Sequence, residues 1–331
     1  MTTAPAQFEK APGWAEAAGE CPLRAVVLIT TRNRVADLRK AVQSAVSQSA
    51  RPEVLVIDDG SSDGTAEIIQ KEFPGVKVHK SPTSFGYIVQ RNRGANLSKA
   101  DILFSIDDDA AFSSPFVVEQ TLKEFSNPRI GAVAIPFVDV NQSPEVKQAA
   151  PDAKQIYATY SYIGTAHAIR RQLFVELGGY REHLIHQGEE EDYCLRMLNE
   201  GFITRCGNSD PVHHFESPKR SLVRMDYYGS RNKILFTWEN VPFPYVAGHL
   251  AVTSFKTVVY TLKPGRFLTR LRAVLAGYAV AFFGDAMRQP VSPEIYLLSR
   301  ELKARKAVPL GEIEQKLSVK QSAGLKNEIY V

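Results

Sequence analysis

Between residues 23 and 130 the chain repeats one pattern: a short apolar run closed by polar residues, then a stretch with apolar residues three and four apart. Ala25-Val26-Val27-Leu28-Ile29-Thr30 reads as a buried strand, and Val35 to Ser47 as an amphipathic helix with Leu38, Val42 and Val46 on one face. Val54 to Ile57 is a second strand, followed by a helix over Thr65 to Lys71. Val76 to His79 and Tyr87 to Ser98 form a third pair. Ile102 to Ile106 has the composition of a strand buried on both faces. Ser114-Pro115 starts a further helix, with Ser as N-cap and Pro at the first helical position. The order β-α-β-α-β-α-β-α predicts an α/β fold with a Rossmann-like, doubly wound, mostly parallel sheet.

Beyond Ile130 the pattern loosens. Ile130 to Val138 reads as another strand, and the polar, Pro-containing Asn141 to Asp152 as a mobile loop. Tyr162 to Ile169 reads as a strand with small residues, and Arg171 to Leu177 as a short helix stopped by Gly178-Gly179. Glu189-Glu190-Glu191-Asp192 opens a helix that ends near Asn199. Acidic residues suit a helix N-terminus, but four in a row exceed what a cap needs. From Leu222 onward the chain reads helical. The predicted organisation is a leader at 1–22, an α/β domain at 23–220 and a C-terminal helical appendage at 221–331.

Composition narrows this reading. With 331 residues, 44% hydrophobic and 23% charged, the chain can bury one large core and carry an appendage. A net charge of +4 is too small to imply a nucleic-acid partner. The excess base lies after Val241, where Lys and Arg outnumber Asp and Glu about two to one. Cys21, Cys194 and Cys206 form no CxxC pair, which points to a reducing, cytoplasmic setting. No apolar h-region lies within Met1 to Glu20, and no run reaches the roughly 18 apolar residues of a membrane span. Ala273 to Gly284 is uncharged and sits beside Lys263, Arg266, Arg270 and Arg272. It reads either as a buried helix or as peripheral membrane contact at the inner face.

The candidate chemistry begins at Asp107-Asp108-Asp109. Packing does not explain three carboxylates after a buried strand, because uncompensated charge in a core is costly. Strand C-terminal ends are where open α/β sheets bind ligands, and a hard divalent cation relieves repulsion between adjacent carboxylates. Mg2+ or Mn2+ would also bridge phosphate oxygens. An exposed acidic turn is the plain alternative. Thr31 to Arg34, Asp58-Asp59 and Asp107 to Asp109 all end strands, so three polar clusters converge on one crevice.

Taken together, these motifs resemble family 2 glycosyltransferases. Val26 to Arg34 is similar to that family's first strand and Thr-x-Asn-Arg turn, and Val54 to Thr65 to its Asp-Asp-Gly-Ser-x-Asp-Gly-Thr segment. Arg91-Asn92-Arg93-Gly94 resembles its Arg-Asn-x-Gly helix, and Asp107 to Asp109 its Asp-x-Asp signature. Gly178-Gly179-Tyr180 and Glu189 to Arg196 resemble its Gly-Gly-Phe…Glu-Asp-x-Asp-Leu-x-x-Arg block. The match covers about Leu23 to Ser217, with all five motifs in order.

The resemblance implies a GT-A fold and a nucleotide-diphospho-sugar donor. It implies that Asp58 or Asp59 binds the base, that Thr31, Arg34 and Arg93 line the nucleotide site, that Asp107 approaches the ribose, and that Asp108 belongs to the same donor-binding set. Asp109 would ligate the metal, with His213 favoured over His214 as second ligand. Glu190 occupies the place of the catalytic base, where many members have Asp, and Glu189 and Glu191 stay open by one residue of register. Asp192 belongs to the same acidic motif, where it assists catalysis or orients the helix by pairing with Arg196. Displacement by a hydroxyl with an external base inverts the anomeric centre, and no nucleophile for a double displacement is evident. The acceptor implied is a glycan or lipid-linked glycan. A nucleotidyltransferase would need a Gly-rich loop after the first strand, which Thr31-Arg32-Asn33-Arg34 lacks. A P-loop ATPase would need Gly-x4-Gly-Lys-Ser/Thr, which is absent. A catalytically dead scaffold is the non-enzyme alternative.

Overall fold

The computed structural model describes residues 23–216, 221–259 and 266–317. The expected leader at 1–22, together with Lys263 and Ser217, lies outside them. Strand β1 (Ala25–Thr31) is buried on both faces and divides two cores. Val27 and Ile29 pack on one side with Leu38 and Val42, while Val26 and Leu28 pack on the other with Ile88 and Phe174. The period of two along the strand thus serves two helical layers. The β-α repeat then follows as α1 (Val35–Val46), β2 (Glu53–Asp58), α2 (Thr65–Glu72), β3 (Lys77–Lys80), α3 (Tyr87–Leu97) and β4 (Ile102–Asp107).

Past β4 the chain builds a feature the sequence pattern did not predict, a second, four-stranded sheet. Its first strand, β5 (Ala110–Phe112), follows the three aspartates directly. After α4 (Val117–Lys123), the single strand expected over Ile130 to Val138 is two. Strand β6 (Ile130–Ala134) stays in the main sheet, and β7 (Phe137–Asp139) joins the second one. Pro136 separates them, because it has no N–H to give to a ladder. The expected loop 141–152 contains β8 (Val146–Lys147), antiparallel to β7.

The main sheet is completed by β9 (Tyr157–Thr159), β10 (Ala166–Arg170), β11 (Ile203–Cys206) and, from the far end of the chain, β13 (Val308–Pro309). Helices α5 (Arg171–Glu176) and α6 (Glu189–Asn199) lie between β10 and β11. The last strand of the second sheet, β12 (Val212–His214), lies between β5 and β7. The main order is β3-β2-β1-β4-β10-β6-β11-β9-β13. Strands β3, β2, β1 and β4 are parallel neighbours, whereas β10 runs antiparallel to both β4 and β6. The chain moves outward from β1 to β3 and returns to the other side of β1 as β4. This places a topological switch point between β1 and β4, where such sheets form ligand crevices.

The C-terminal region is helical, as expected: α7 (Leu222–Asn240), α8 (Tyr245–Val259), α9 (Phe267–Phe283) and α10 (Pro293–Arg305). Strand β13 ties it to the main sheet through β9. Among the described residues no helix is long and apolar enough to cross a membrane. Two of the arginines beside the uncharged stretch pair with the protein itself: Arg266 and Arg270 contact Asp226 of α7 at 3.1 and 2.9 Å.

Candidate active site

The register of β1 against β4 sets Thr30 beside Asp107, and that of β1 against β2 sets Thr31 beside Asp58. The three polar strand ends therefore meet, as expected, at a crevice of about 760 Å³. Thr31, Arg34, Asp59, Asp107, Asp108 and Asp109 line it. Thr31 Oγ1 donates to Asp108 at 2.8 Å. Arg34 donates to Asp108 at 2.9 Å and to Asp109 at 3.0 Å, neutralising part of the cluster. Burial pushes the Asp108 carboxyl up to about 7. Burial also opposes charge on Asp109, but His214 and Arg34 hold that carboxyl down at about 2.

The second sheet delivers a histidine to this cluster. Strand β12 pairs antiparallel with β5, which sets His214 opposite Ala110, and Phe215 N–H donates to the Asp109 carbonyl at 2.8 Å. His214 Nε2 lies 3.4 Å from Asp109 Oδ1, and its Nδ1 lies 2.5 Å from Asp139 Oδ1. Burial disfavours a charged imidazole, yet the two aspartates outweigh it and raise His214 to about 9. Asp107, Asp109 and His214 each offer a ligand atom, all within 4.8 Å of one another. Two carboxylates and an imidazole whose other nitrogen is held by a carboxylate form a donor set that fits a divalent cation. The sequence motif favours His213 for this place, and the structure corrects it. Successive strand residues point to opposite faces, so only one of the two histidines can face the aspartates. His213 is instead half-buried, with its ring edge-on to Phe215 at 6.4 Å.

Four consecutive carboxylates take four directions because each helical residue rotates by about 100°. Gly188, at φ 90°, admits the left-handed turn that starts α6. Glu189 is fully buried, with Oε1 3.5 Å from Arg91 Nη1. Glu190 lines the crevice. Glu191 turns away to ion-pair with Lys303. Asp192 does not line the crevice: it is buried among Arg181 at 2.6 Å, Arg196 at 3.0 Å and Asn240 at 2.8 Å. Its placement is that of a structural anchor, and the pairing with Arg196 is the one anticipated. Burial, then the neighbouring Glu189, pushes Glu190 up to about 8.

Two further residues depart from expectation. Arg93 bonds Ser81 at 2.6 Å and does not line the crevice. The arginine of the same helix that does is Arg91, buried, donating to Asp107 at 2.7 Å and to the Gly164 carbonyl at 3.1 Å. It belongs to the buried stripe 88, 91, 92, 95 of α3, a spacing visible in the sequence. Gly164 approaches this arginine so closely that a Cβ there would lie 2.6 Å from Glu190 Oε1 and 2.9 Å from Arg91 Nη1. Asp58 is fully buried and accepts from Ser61 N–H at 2.8 Å, so it does not reach the crevice. Asp59 does, but it already accepts from Ser84, Phe85, Gly86 and Gln90 at 2.6–3.1 Å. Burial resists its charge, and these four donors hold its carboxyl below the usual range.

A doubly wound sheet with an aspartate cluster at its switch point, joined to a small second sheet, is the GT-A glycosyltransferase fold. A mannosyltransferase from Pyrobaculum calidifontis, solved with GDP-Man and Mn2+, superposes on it with a TM-score of 0.55 and 17% identity, covering 96% of this chain and 92% of that one. Residues 26–181 match the family model Glycosyl transferase family 2, and that stretch of the chain belongs to the family. An uncharacterized glycosyltransferase of Haemophilus influenzae is 27% identical over 226 residues, 65% of this chain and 76% of that protein. The O-antigen chain rhamnosyltransferase WbaN of Salmonella anatum is 25% identical over 195 residues, 54% of this chain and 62% of that protein. The chain thus spans less than two thirds of the length of the second relative.

Proposed function

We propose that this chain is an inverting, metal-dependent glycosyltransferase that moves a sugar from a nucleotide-diphospho-sugar to a hydroxyl of a glycan or lipid-linked glycan. The observation that carries the reading is that Glu190 and the Asp107–Asp109–His214 group line one crevice. Asp107, Asp108 and Asp109 are each held by an arginine, whereas no ion pair among the described residues closes on Glu190. Within the acidic run at 189–192, Glu190 is the carboxylate that lines this crevice, and we assign it the proton. It would accept the proton of the acceptor hydroxyl as that oxygen bonds the anomeric carbon, and the carbon–phosphate oxygen bond would break with its electron pair leaving on the nucleoside diphosphate. One displacement of this kind inverts the centre. Asp107, Asp109 and His214 would hold Mg2+ or Mn2+, which when bound offsets charge on a diphosphate leaving group. Arg91, anchored on Asp107, fixes that carboxylate, and Arg34 does the same for Asp108 and Asp109.

The GDP-Man and Mn2+ held by the Pyrobaculum calidifontis mannosyltransferase, and the O-antigen role in the name of the Salmonella anatum relative, agree with this chemistry. A site at the inner face of a membrane is part of the same proposal. It is supported by the exposed Phe267, Leu268, Leu275 and Phe282 of α9 beside the exposed Arg272. Flotation with anionic vesicles tests that part, and a protein that stays at the bottom ends it. The reaction is tested by incubating the chain with UDP-, GDP- and dTDP-sugars, a glycan acceptor and Mn2+, with the product anomer read by NMR. Inversion that EDTA abolishes is the expected result; retention, or transfer undiminished by EDTA, overturns it.

A further inference from the structure

A second cavity, of about 780 Å³, lies between α7, α8 and α10 on the far side of the turn that starts α6. Gln187 and Met225 line both cavities and form their common wall. Glu190 faces the first cavity and Glu191, one residue on, faces the second. The wall is held in place: Asn232 Nδ2 donates to the carbonyls of Leu184, His186 and Gln187 at 2.7–2.9 Å. The carboxyl assigned as base lines the first cavity three residues along the chain from Gln187, which both cavities share.

The charge of the second cavity is lopsided. Lys233, Lys256, Arg270, Arg300 and Lys303 line it, against Glu191 and Asp226. Both acids are already engaged, Glu191 by Lys303 and Asp226 by Arg266 and Arg270. Lys233, Lys256 and Arg300 have no carboxylate partner among the described residues, and they come from three different helices. Their convergence is thus a product of tertiary packing rather than of a basic run in the sequence. Clefts lined by one sign of charge focus the field and raise the local concentration of the opposite ion. Tyr160, Phe236 and Tyr296 supply apolar faces in the same cavity.

We propose that this cavity receives the acceptor, and that the acceptor carries a phosphate. Its phosphate lies among Lys233, Lys256 and Arg300, and its hydroxyl passes Gln187 and Met225 to reach Glu190. Lysines act on phosphate as point charges, and three cations suit a multiply charged phosphate better than a single carboxylate. The phosphate ester belongs either to a lipid diphosphate or to a soluble phosphorylated sugar; the two share this chemistry and part in the test. The proposal rests on the assignment of Glu190.

The experiment uses the full chain saturated with Mn2+ and UDP or GDP, whichever it binds. Calorimetry follows glucose 1-phosphate, farnesyl diphosphate in micelles, and octyl glucoside as the neutral probe. The triple variant Lys233→Gln/Lys256→Gln/Arg300→Gln changes only exposed side chains. Its affinity for a phosphate probe should fall about tenfold or more, with a shallower salt dependence, while its nucleotide affinity holds. Loss for both phosphate probes supports a phosphorylated sugar, and loss for the farnesyl probe alone supports a lipid diphosphate. Unchanged phosphate affinity, or equal loss for octyl glucoside, overturns the proposal. Glu190→Gln is measured in parallel. If it transfers sugar at the wild-type rate the base assignment fails by itself, and the phosphate titration still reports on the cavity.

Discussion

His214 Nδ1 lies 2.5 Å from Asp139 Oδ1, and this contact aims the opposite ring nitrogen at Asp109. Asp139 would thus act through the histidine on a metal held in the proposed site. Asp139→Ala should weaken Mn2+ binding about 10–100-fold, the usual cost of losing such an outer partner. His214→Ala should weaken it further, and His213→Ala should leave it near wild type. Mn2+ titration followed by electron paramagnetic resonance separates the three. Equal losses for His213→Ala and His214→Ala would mean that the second sheet does not choose the ligand.

Glu190 and Asp192 are two residues apart and should fail in different ways. Glu190→Gln keeps the shape and removes the base, so kcat should drop about 10²–10⁴-fold with donor affinity preserved. Asp192→Asn takes the buried counter-charge from Arg196 and leaves Arg181 with Glu239 alone. It should cost on the order of 3–5 kcal/mol of stability. Single-turnover kinetics and denaturant unfolding, run on both variants, read the two outcomes. A stable Asp192→Asn enzyme with kcat as low as that of Glu190→Gln would return Asp192 to the chemistry.

The raised Glu190 carboxyl predicts a pH profile. A base must be ionised to work, and this group is mostly protonated below about 8. In the free enzyme kcat/KM should rise about tenfold per pH unit on the acid side and level off above pH about 8. Glu190→Gln should lose that limb. A wild-type profile flat from pH 6 to 9 would show that another group carries the proton.

Gly164 is predicted to be intolerant of alanine in function but not in fold. The added Cβ would meet the ends of two side chains, Glu190 at 2.6 Å and Arg91 at 2.9 Å. These can swing aside at modest cost, but doing so displaces the carboxylate from the crevice. Gly164→Ala should lower kcat at least about tenfold, since small misplacements of reacting groups are expensive. Its melting temperature should stay close to wild type. A fully active variant would mean that Glu190 need not hold its observed position.

The β-α repeat was legible because β1, β2 and β4 are buried runs with strong flanking helices. The convergence of Thr31, Asp59 and Asp107–Asp109 followed from that order alone. The second sheet was not legible. Strands β5, β7 and β12 have three residues each, too few for a period to show. Without that sheet nothing in the sequence says which of two adjacent histidines faces inward. The acidic run had the same difficulty, since its phase depends on where Gly188 starts the helix. Arg91 is a different kind of miss. Its place in the stripe 88, 91, 92, 95 was available, and reading the helix by face would have selected it over Arg93.

Of the four donors gathered on Asp59, three tie the loop 84–86 to the end of β2 and the fourth, Gln90, ties α3 to it. The conformational entropy of that segment is surrendered when the chain folds. Whatever enters the crevice beside Asp59 meets a template that is already set rather than a clasp that must close. An incoming group that wants the Asp59 carboxylate must exchange for one of its four partners. Discrimination there comes from how well a newcomer replaces a bond the protein already makes.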